Sequence, residues 1–262
     1  MNIKHLAMAL PLIVLAGVAS ADPDHQPKAG IYQGEVALMG NGLVRSWTDI
    51  GVGGKPNAIG VTFTDLALDG LPGDGESEFL VNLPKQAKWN TPYDHIAVDW
   101  NPHGHPPPGV YDVPHFDFHF YMITPEERSK ITAVGADLLR CDKAVPAGQL
   151  PPDYFMAIGT EVPNMGVHCL DGTSPELHGA PFTSTFIYGA YNGRVIFNEP
   201  MVALSSILAR ADIILPIRSP AVVLEDGYYP TVYAVTYNWT RQETTVQLRE
   251  FVWRKGKNHH WH

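Results

Sequence analysis

The chain has 262 residues, a formal net charge of −9, only 17% charged residues, 24 glycines and 23 prolines. An acidic balance of that size excludes nucleic acid and anionic lipid as partners, because binding phosphates requires a basic face. Frequent turn residues, many aromatics and little charge fit an all-β fold rather than a helical bundle.

Residues 1–21 read as a secretory signal peptide: Lys4 supplies the positive start, residues 10–18 the apolar run, and Ala19, Ser20 and Ala21 the small-residue cleavage site. The apolar run is shorter than the roughly 20 residues that span a bilayer, and no later segment is long enough. The expectation is an exported protein, periplasmic or extracellular, with one β-rich domain over residues 22–262. Removing the leader takes away one positive charge, Lys4, and no acidic one, which moves the formal charge from −9 to −10. In an oxidising compartment the only two cysteines, Cys141 and Cys169, are expected to pair as a structural disulfide. The alternatives are two free thiols, or a thiolate metal ligand at Cys169.

Residues 31–38 and 43–47 read as paired strands, and 59–68 as a strand with Ile59, Val61 and Phe63 on one face. Short strands follow at 78–83 and 95–100, then a proline-rich loop over 101–114 and a strand at 115–123. Thr124, Pro125 and Glu127 form a capping box with proline at the first helical position, which predicts a helix of two to four turns ending before Cys141. A strand is expected near 165–169. The pair Asn192-Gly193 is the strongest hairpin signal in the chain, since both residues accept positive φ. Leu204, Ile207, Leu208 and Ala211 have helical spacing, and residues 231–239 and 244–253 read as a final hairpin. Asn238-Trp239-Thr240 is a glycosylation sequon.

Residues 93–123 concentrate the chemistry. They hold five of the twelve histidines, His95, His103, His105, His115 and His119, among Asp94, Asp99, Asp112 and Asp117. Strand alternation puts His115, Asp117, His119 and Tyr121 on one face and Phe116, Phe118, Phe120 and Met122 on the other. Positions four apart on a strand are separated by about 13 Å, so His115 and His119 are not expected to serve one ion. The remaining ligands must come from elsewhere: the His103-Gly104-His105 turn, or His168 and the Glu176-Leu177-His178 segment. Mixed nitrogen and carboxylate donors suit Zn, Mn, Fe or Cu. His95 is the weakest member of the set. His25 and the histidines at 259, 260 and 262 sit on tails and are set aside.

The block WNPHGHPPPGVYDVPHFDFHFYMITPEER at 100–128, with MGVHCLD at 165–171 and SPELHGAPFTSTFIYGAYNGRVIFNEPM at 174–201, resembles a family of exported bacterial proteins of unknown function. That resemblance implies an exported β-rich protein and brings no reaction; Cys169 stands where the family is expected to carry an aromatic residue. The H-x-H pair followed by an acid and a later histidine is also similar to cupins, and the histidine strand to β-sheet carbonic anhydrases. The composite expectation is an all-β fold, a barrel or sandwich of cupin- or calycin-like kind, with two short helices. It would bind a divalent metal through a subset of His103, His105, His115, Asp117, His119, His168 and His178. As an enzyme it would act on a small molecule, with Glu176 or Asp117 as proton acceptor. The alternative is a metal-free module in which Trp100, Tyr111 and Tyr121 line a pocket for a sugar or lipid. A homo-oligomer paired through an exposed strand, or an oligomeric structural protein of the cell envelope, is compatible with the same sequence.

Overall fold

The structure is a computed structural model of the chain and describes residues 26–257. The leader expected at 1–21, His25 and the terminal histidines lie outside the described residues. Among the described residues no helix is long and apolar enough to cross a membrane.

Two antiparallel sheets pack face to face. The first contains β1 (Gly30–Met39), β2 (Gly42–Ile50) and β3 (Pro56–Thr64). The second contains β4 (Ser77–Asn82), β5 (His95–Asn101), β6 (His115–Tyr121), β7 (Tyr154–Met156), β8 (Val167–Asp171), β9 (Ser184–Tyr191) and β10 (Arg194–Ala203). The chain then returns to the first sheet with β11 (Ile213–Pro216), forms half of a small ribbon with β12 (Gly227–Tyr229), and adds β13 (Val232–Asn238) and β14 (Glu243–Arg249) before closing the ribbon with β15 (Val252–Arg254). The spatial orders are β1-β2-β3-β14-β13-β11 and β4-β5-β6-β10-β9-β8-β7. Each sheet keeps two free edges, so of the two all-β architectures expected the fold is the sandwich and not the closed barrel.

The residues that fill the sandwich are those that alternation predicts. Ile59, Val61 and Phe63 of β3 meet Phe116, Phe118 and Phe120 of β6, all fully buried. Phe63 stacks on Phe116 and Phe118 with ring centroids 6.1 and 6.2 Å apart. Burial of each such ring contributes about 1.5–3 kcal/mol. The Asn192-Gly193 pair forms the expected two-residue hairpin, with φ of 52° and 74° and Tyr191 opposite Arg194.

The helices are shorter than the pattern at 124–140 predicts. The capping box forms, but α1 (Pro125–Arg128) is a single turn. The chain then enters left-handed backbone at Ala133 and Gly135, with φ of 51° and 57°. There the Asp137 carboxylate accepts from the amides of Thr132 and Ala133 and holds the turn against continuing as a helix. A second turn, α2 (Leu138–Cys141), follows, and α3 (Leu204–Leu208) caps the end of β10. The disulfide is also corrected: both cysteines are free and buried. Cys169 packs in the sandwich core, whereas Cys141 packs with Tyr121 and Phe197 beyond the other face of the seven-stranded sheet, so that sheet separates them. Burial pushes the Cys169 thiol up to about 12, and it points away from the face that carries His168.

The outer face of the seven-stranded sheet is buried too. Strands β5 and β6 have no exposed residue on either side, because residues 102–114 and 157–166 fold over them. One position makes this covering tight. Gly189 of β9 faces Phe197 of β10, and a Cβ on Gly189 would lie 1.8 Å from the Phe197 ring. Phe197 in turn sits edge-on to His119 and His168, with centroids 4.8 and 5.6 Å apart. Gly189→Ala is therefore expected to lower the unfolding free energy by about 1–3 kcal/mol. Urea denaturation checks this, and an unchanged midpoint would contradict the packing.

Candidate metal centre

Four strands and one loop bring the polar residues together. β6 contributes His115, Asp117 and His119 from the face opposite its phenylalanines, and the cross-strand neighbours of this face on β5 are Asn101, Asp99 and Ala97. On the other side β10 pairs with β6 through Asn198 opposite Phe120 and Met201 opposite Asp117, which brings Glu199 beside His119. β8 delivers His168 opposite Gly189, the residue without a side chain.

These residues form two groups of the same composition, each two imidazoles and one carboxylate. The first is His105, His115 and Asp117; the second is His119, His168 and Glu199. His115 and His119 fall in different groups, as the strand spacing requires. In each group the ligand atoms lie within 4.8 Å of one another.

The first group takes its third member from the proline-rich loop. Gly104 has φ of 70°, and a Cβ there would lie 2.0 Å from the Tyr111 carbonyl, so the turn needs glycine on both counts. That turn sends the two histidines of His103-Gly104-His105 in opposite directions. His105 swings inward, with Nε2 3.2 Å from Asp117 Oδ2, whereas His103 stays exposed beside Asp74 at 3.4 Å. Asn101 donates to the same Asp117 oxygen at 2.7 Å. His115 Nε2 lies 3.2 Å from the other oxygen, Oδ1. Burial disfavours the charged form of both partners, but their attraction outweighs it. The Asp117 carboxylate, facing two imidazoles, stays well below the usual carboxylate range, and His105 is held up at about 9.

In the second group Glu199 Oε2 lies 3.4 Å from His119 Nε2 and 3.6 Å from His168 Nε2. His119 Nδ1 lies 2.7 Å from Asp99 Oδ2, which places the ring between two carboxylates. Burial opposes charge on His119, yet Glu199 and Asp99 keep its affinity for a proton well above that of a free imidazole. Burial pushes Asp99 up to about 6 and lowers His168.

Several of these buried atoms lack a hydrogen bond despite their short distances: His115 Nε2, Asp117 Oδ1, both His119 nitrogens, Asp99 Oδ2 and Glu199 Oε2. The ring N–H directions miss the oxygens. Unpaired buried polar atoms cost about 1–3 kcal/mol each, so such a concentration calls for a shared partner. Ligands on a tetrahedral ion with bonds near 2.0–2.1 Å stand about 3.3 Å apart, close to the separations seen in both groups.

Asp99, His105, Asp117, His119 and His168 line one cavity of about 380 Å³, walled otherwise by Pro106, Pro107, Met165, Leu170, Ile187 and Met201 among others. Another cleft, near Tyr93 and Arg254, is about 60 Å³ and holds none of these residues.

The other expected site residues stand apart from both groups. His178 is exposed and donates from Nε2 to the Gly172 carbonyl at 2.9 Å. Glu176 is buried and accepts from the Tyr111 hydroxyl at 3.3 Å. Tyr111 lies edge-on to His105 with centroids 5.8 Å apart, so Glu176 acts behind the cavity wall. His95 stacks on Tyr121 at 4.8 Å. Of the three aromatics expected to line a pocket, only Tyr111 does; Trp100 packs in the sandwich core, and the Tyr121 hydroxyl donates to the Asn164 carbonyl. Glu199 is a member of the second group that the sequence analysis does not single out. Its signal is the lone acid in the apolar run Val195-Ile196-Phe197-Asn198-Glu199-Pro200-Met201-Val202.

A family model described as "TTHB210-like: Hypothetical protein TTHB210" matches residues 51–100. The match covers less than half of the chain and ends before the proline-rich loop. It places β3 to β5 in likeness to an uncharacterised family and carries no activity. No curated protein and no solved structure matches the chain, so the cupin and carbonic anhydrase likenesses gain no support.

His95 generates a prediction of its own. It is fully buried, and burial lowers its pKa to about 4, with Asp94 only partly compensating. The unfolded imidazole titrates near 6.5, so the unfolded chain binds a proton first as pH falls. The stability contribution is complete above about 6.5 and is lost progressively toward 4, by roughly 3 kcal/mol at most. His95→Phe keeps the stack on Tyr121 and removes the titration. The unfolding free energy of the native chain should therefore fall relative to H95F between pH 7 and 4, in urea melts at each pH; parallel curves would refute it.

Proposed function

We propose that this protein binds a divalent metal ion at His119, His168 and Glu199 and uses it in a reaction on a small molecule held in the adjoining cavity. The observation that carries the reading is the set of buried polar atoms on His119 and Glu199, close together and without hydrogen bonds. Two histidines and one carboxylate match the donor sets of catalytic zinc sites and of non-haem iron sites. No thiolate takes part, which leaves Zn, Fe, Mn and Cu as candidates.

A bound ion of this kind supplies Lewis acidity and acidifies a coordinated water. The chain's own residues do the rest. Asp99 abuts His119 Nδ1 and fixes which ring nitrogen faces Glu199. Phe197 braces His119 and His168 from below. The apolar walls, with Pro106, Pro107 and Tyr111 on the covering loop, limit water and select a small, largely apolar ligand. In this reading Glu176 is a positioning residue that acts through Tyr111. The exported location expected from residues 1–21 belongs to the same proposal.

The test is metal analysis on untagged protein dialysed against each metal in turn. At least one tightly held equivalent is expected, and combining His168→Ala with Glu199→Gln should weaken it by at least tenfold while the far-ultraviolet dichroism stays native. Binding of a small apolar ligand with no metal retained would instead favour the metal-free module.

A further inference from the structure

The first group has the same donor set as the second, and its contacts ask a separate question. His115 Nδ1 donates to the Val113 carbonyl at 2.7 Å, and His105 Nδ1 donates to the Pro106 carbonyl at 2.8 Å. Anchoring one ring nitrogen on a backbone carbonyl is how proteins aim the other nitrogen at a metal. With Nδ1 carrying the proton of a neutral ring, both Nε2 atoms present lone pairs to the Asp117 carboxylate, at 3.2 Å on either oxygen.

Lone pairs that face each other repel, so each contact needs a positive body. A second proton on His105 explains the His105 to Asp117 contact, whose geometry is that of a hydrogen bond. It does not explain the contact of His115. There the ring direction misses Asp117 Oδ1, and both atoms are buried without any hydrogen bond. An ion seated off the line between them satisfies His115, Asp117 and His105 at once. Asn101 holds the carboxylate in place from behind.

We infer that His105, His115 and Asp117 form a second divalent-cation site, so that the cavity is faced by two metal ions. The inference rests on the reading of the first site given above. Asp117 and His119 are two residues apart on one strand face, about 7 Å between Cα atoms, and His105, Asp117, His119 and His168 line the same cavity. One small ligand in the 380 Å³ cavity can therefore reach both ions. The two sites differ in what carries them. The His119 site is built wholly on strands, whereas the second site borrows His105 from the proline-rich loop, so filling it pins that loop over the cavity.

The experiment is titration of the full chain with Zn(II) and with Co(II) against a chromophoric chelator, with native mass spectrometry counting bound ions. All arms carry alanine at positions 259, 260 and 262, so the terminal histidines contribute nothing. Two equivalents are expected. His115→Gln should remove one and leave the other at unchanged affinity, which also shows that the variant is folded. His168→Ala with Glu199→Gln should remove the other, and His103→Ala should remove neither. Hydrogen exchange in residues 102–114 should slow at least several-fold as the second equivalent binds, and should not slow in H115Q. A single equivalent, lost with His168 and Glu199 but indifferent to His115, would overturn the second site and leave the first standing. A single equivalent lost with His115 alone would overturn both this two-ion arrangement and the placement of the first site, and no equivalents would overturn the metal reading altogether.

Discussion

Strand β6 carries the constraint on which the rest depends: its two faces have opposite chemistry and neither meets solvent. Phe116, Phe118 and Phe120 close the sandwich against β3, while His115, Asp117 and His119 are buried on the reverse side. Side-chain alternation makes these two commitments inseparable, because a slip of one residue would exchange them all at once. The register of β6 is thus enforced by the aromatic core, and the polar face inherits that precision.

Burying so many ionisable groups is costly, and the surrounding structure is arranged to offset it. Asp117 receives Asn101 and two imidazoles; His119 lies between Asp99 and Glu199; His105 and His115 each give one N–H to a backbone carbonyl. These contacts leave unpaired six buried polar atoms, on His115, Asp117, His119, Asp99 and Glu199, which gather at the two groups beside the cavity, while His95 Nε2, Arg128 Nε, Gln149 Oε1 and Arg194 Nε stand apart. A buried polar network held only for stability would be expected to satisfy itself, since a half-satisfied network is worse than an apolar one. The concentration of unsatisfied atoms is what the proposed metal sites rest on.

Coverage of the polar face depends on loops rather than on a third layer. The proline-rich segment at 102–114 contributes Pro106, Pro107, Tyr111 and His105, and Glu176 supports it from outside through the Tyr111 hydroxyl. On the far side Gly189 lets Phe197 lie flat enough to brace His119 and His168. Loops of this sort can carry function because a rigid sheet positions their ends. The division between strand-borne and loop-borne members of the two groups follows directly from that architecture.

Much of this was legible in the sequence, for local reasons. Period-two alternation identified β3, β5 and β6 and the face on which His115, Asp117 and His119 stand; positive-φ chemistry identified the Asn192-Gly193 hairpin; strand rise separated His115 from His119. Each of these depends only on neighbours along the chain. Tertiary structure decided what depends on partners far away in sequence. Glu199 and His168 converge on His119 because β10 and β8 lie on one side of β6, an order that no local pattern encodes. His103 and His105 part company because the Gly104 turn is fixed by Tyr111. Cys141 and Cys169 stay apart because a sheet runs between them, and the helix after Thr124 ends early because Asp137 folds back on its own loop. Alternation along each strand sets which residues share a face; the packing of strands in space selects which faces meet, because hydrophobic burial acts on strand order over the whole chain at once.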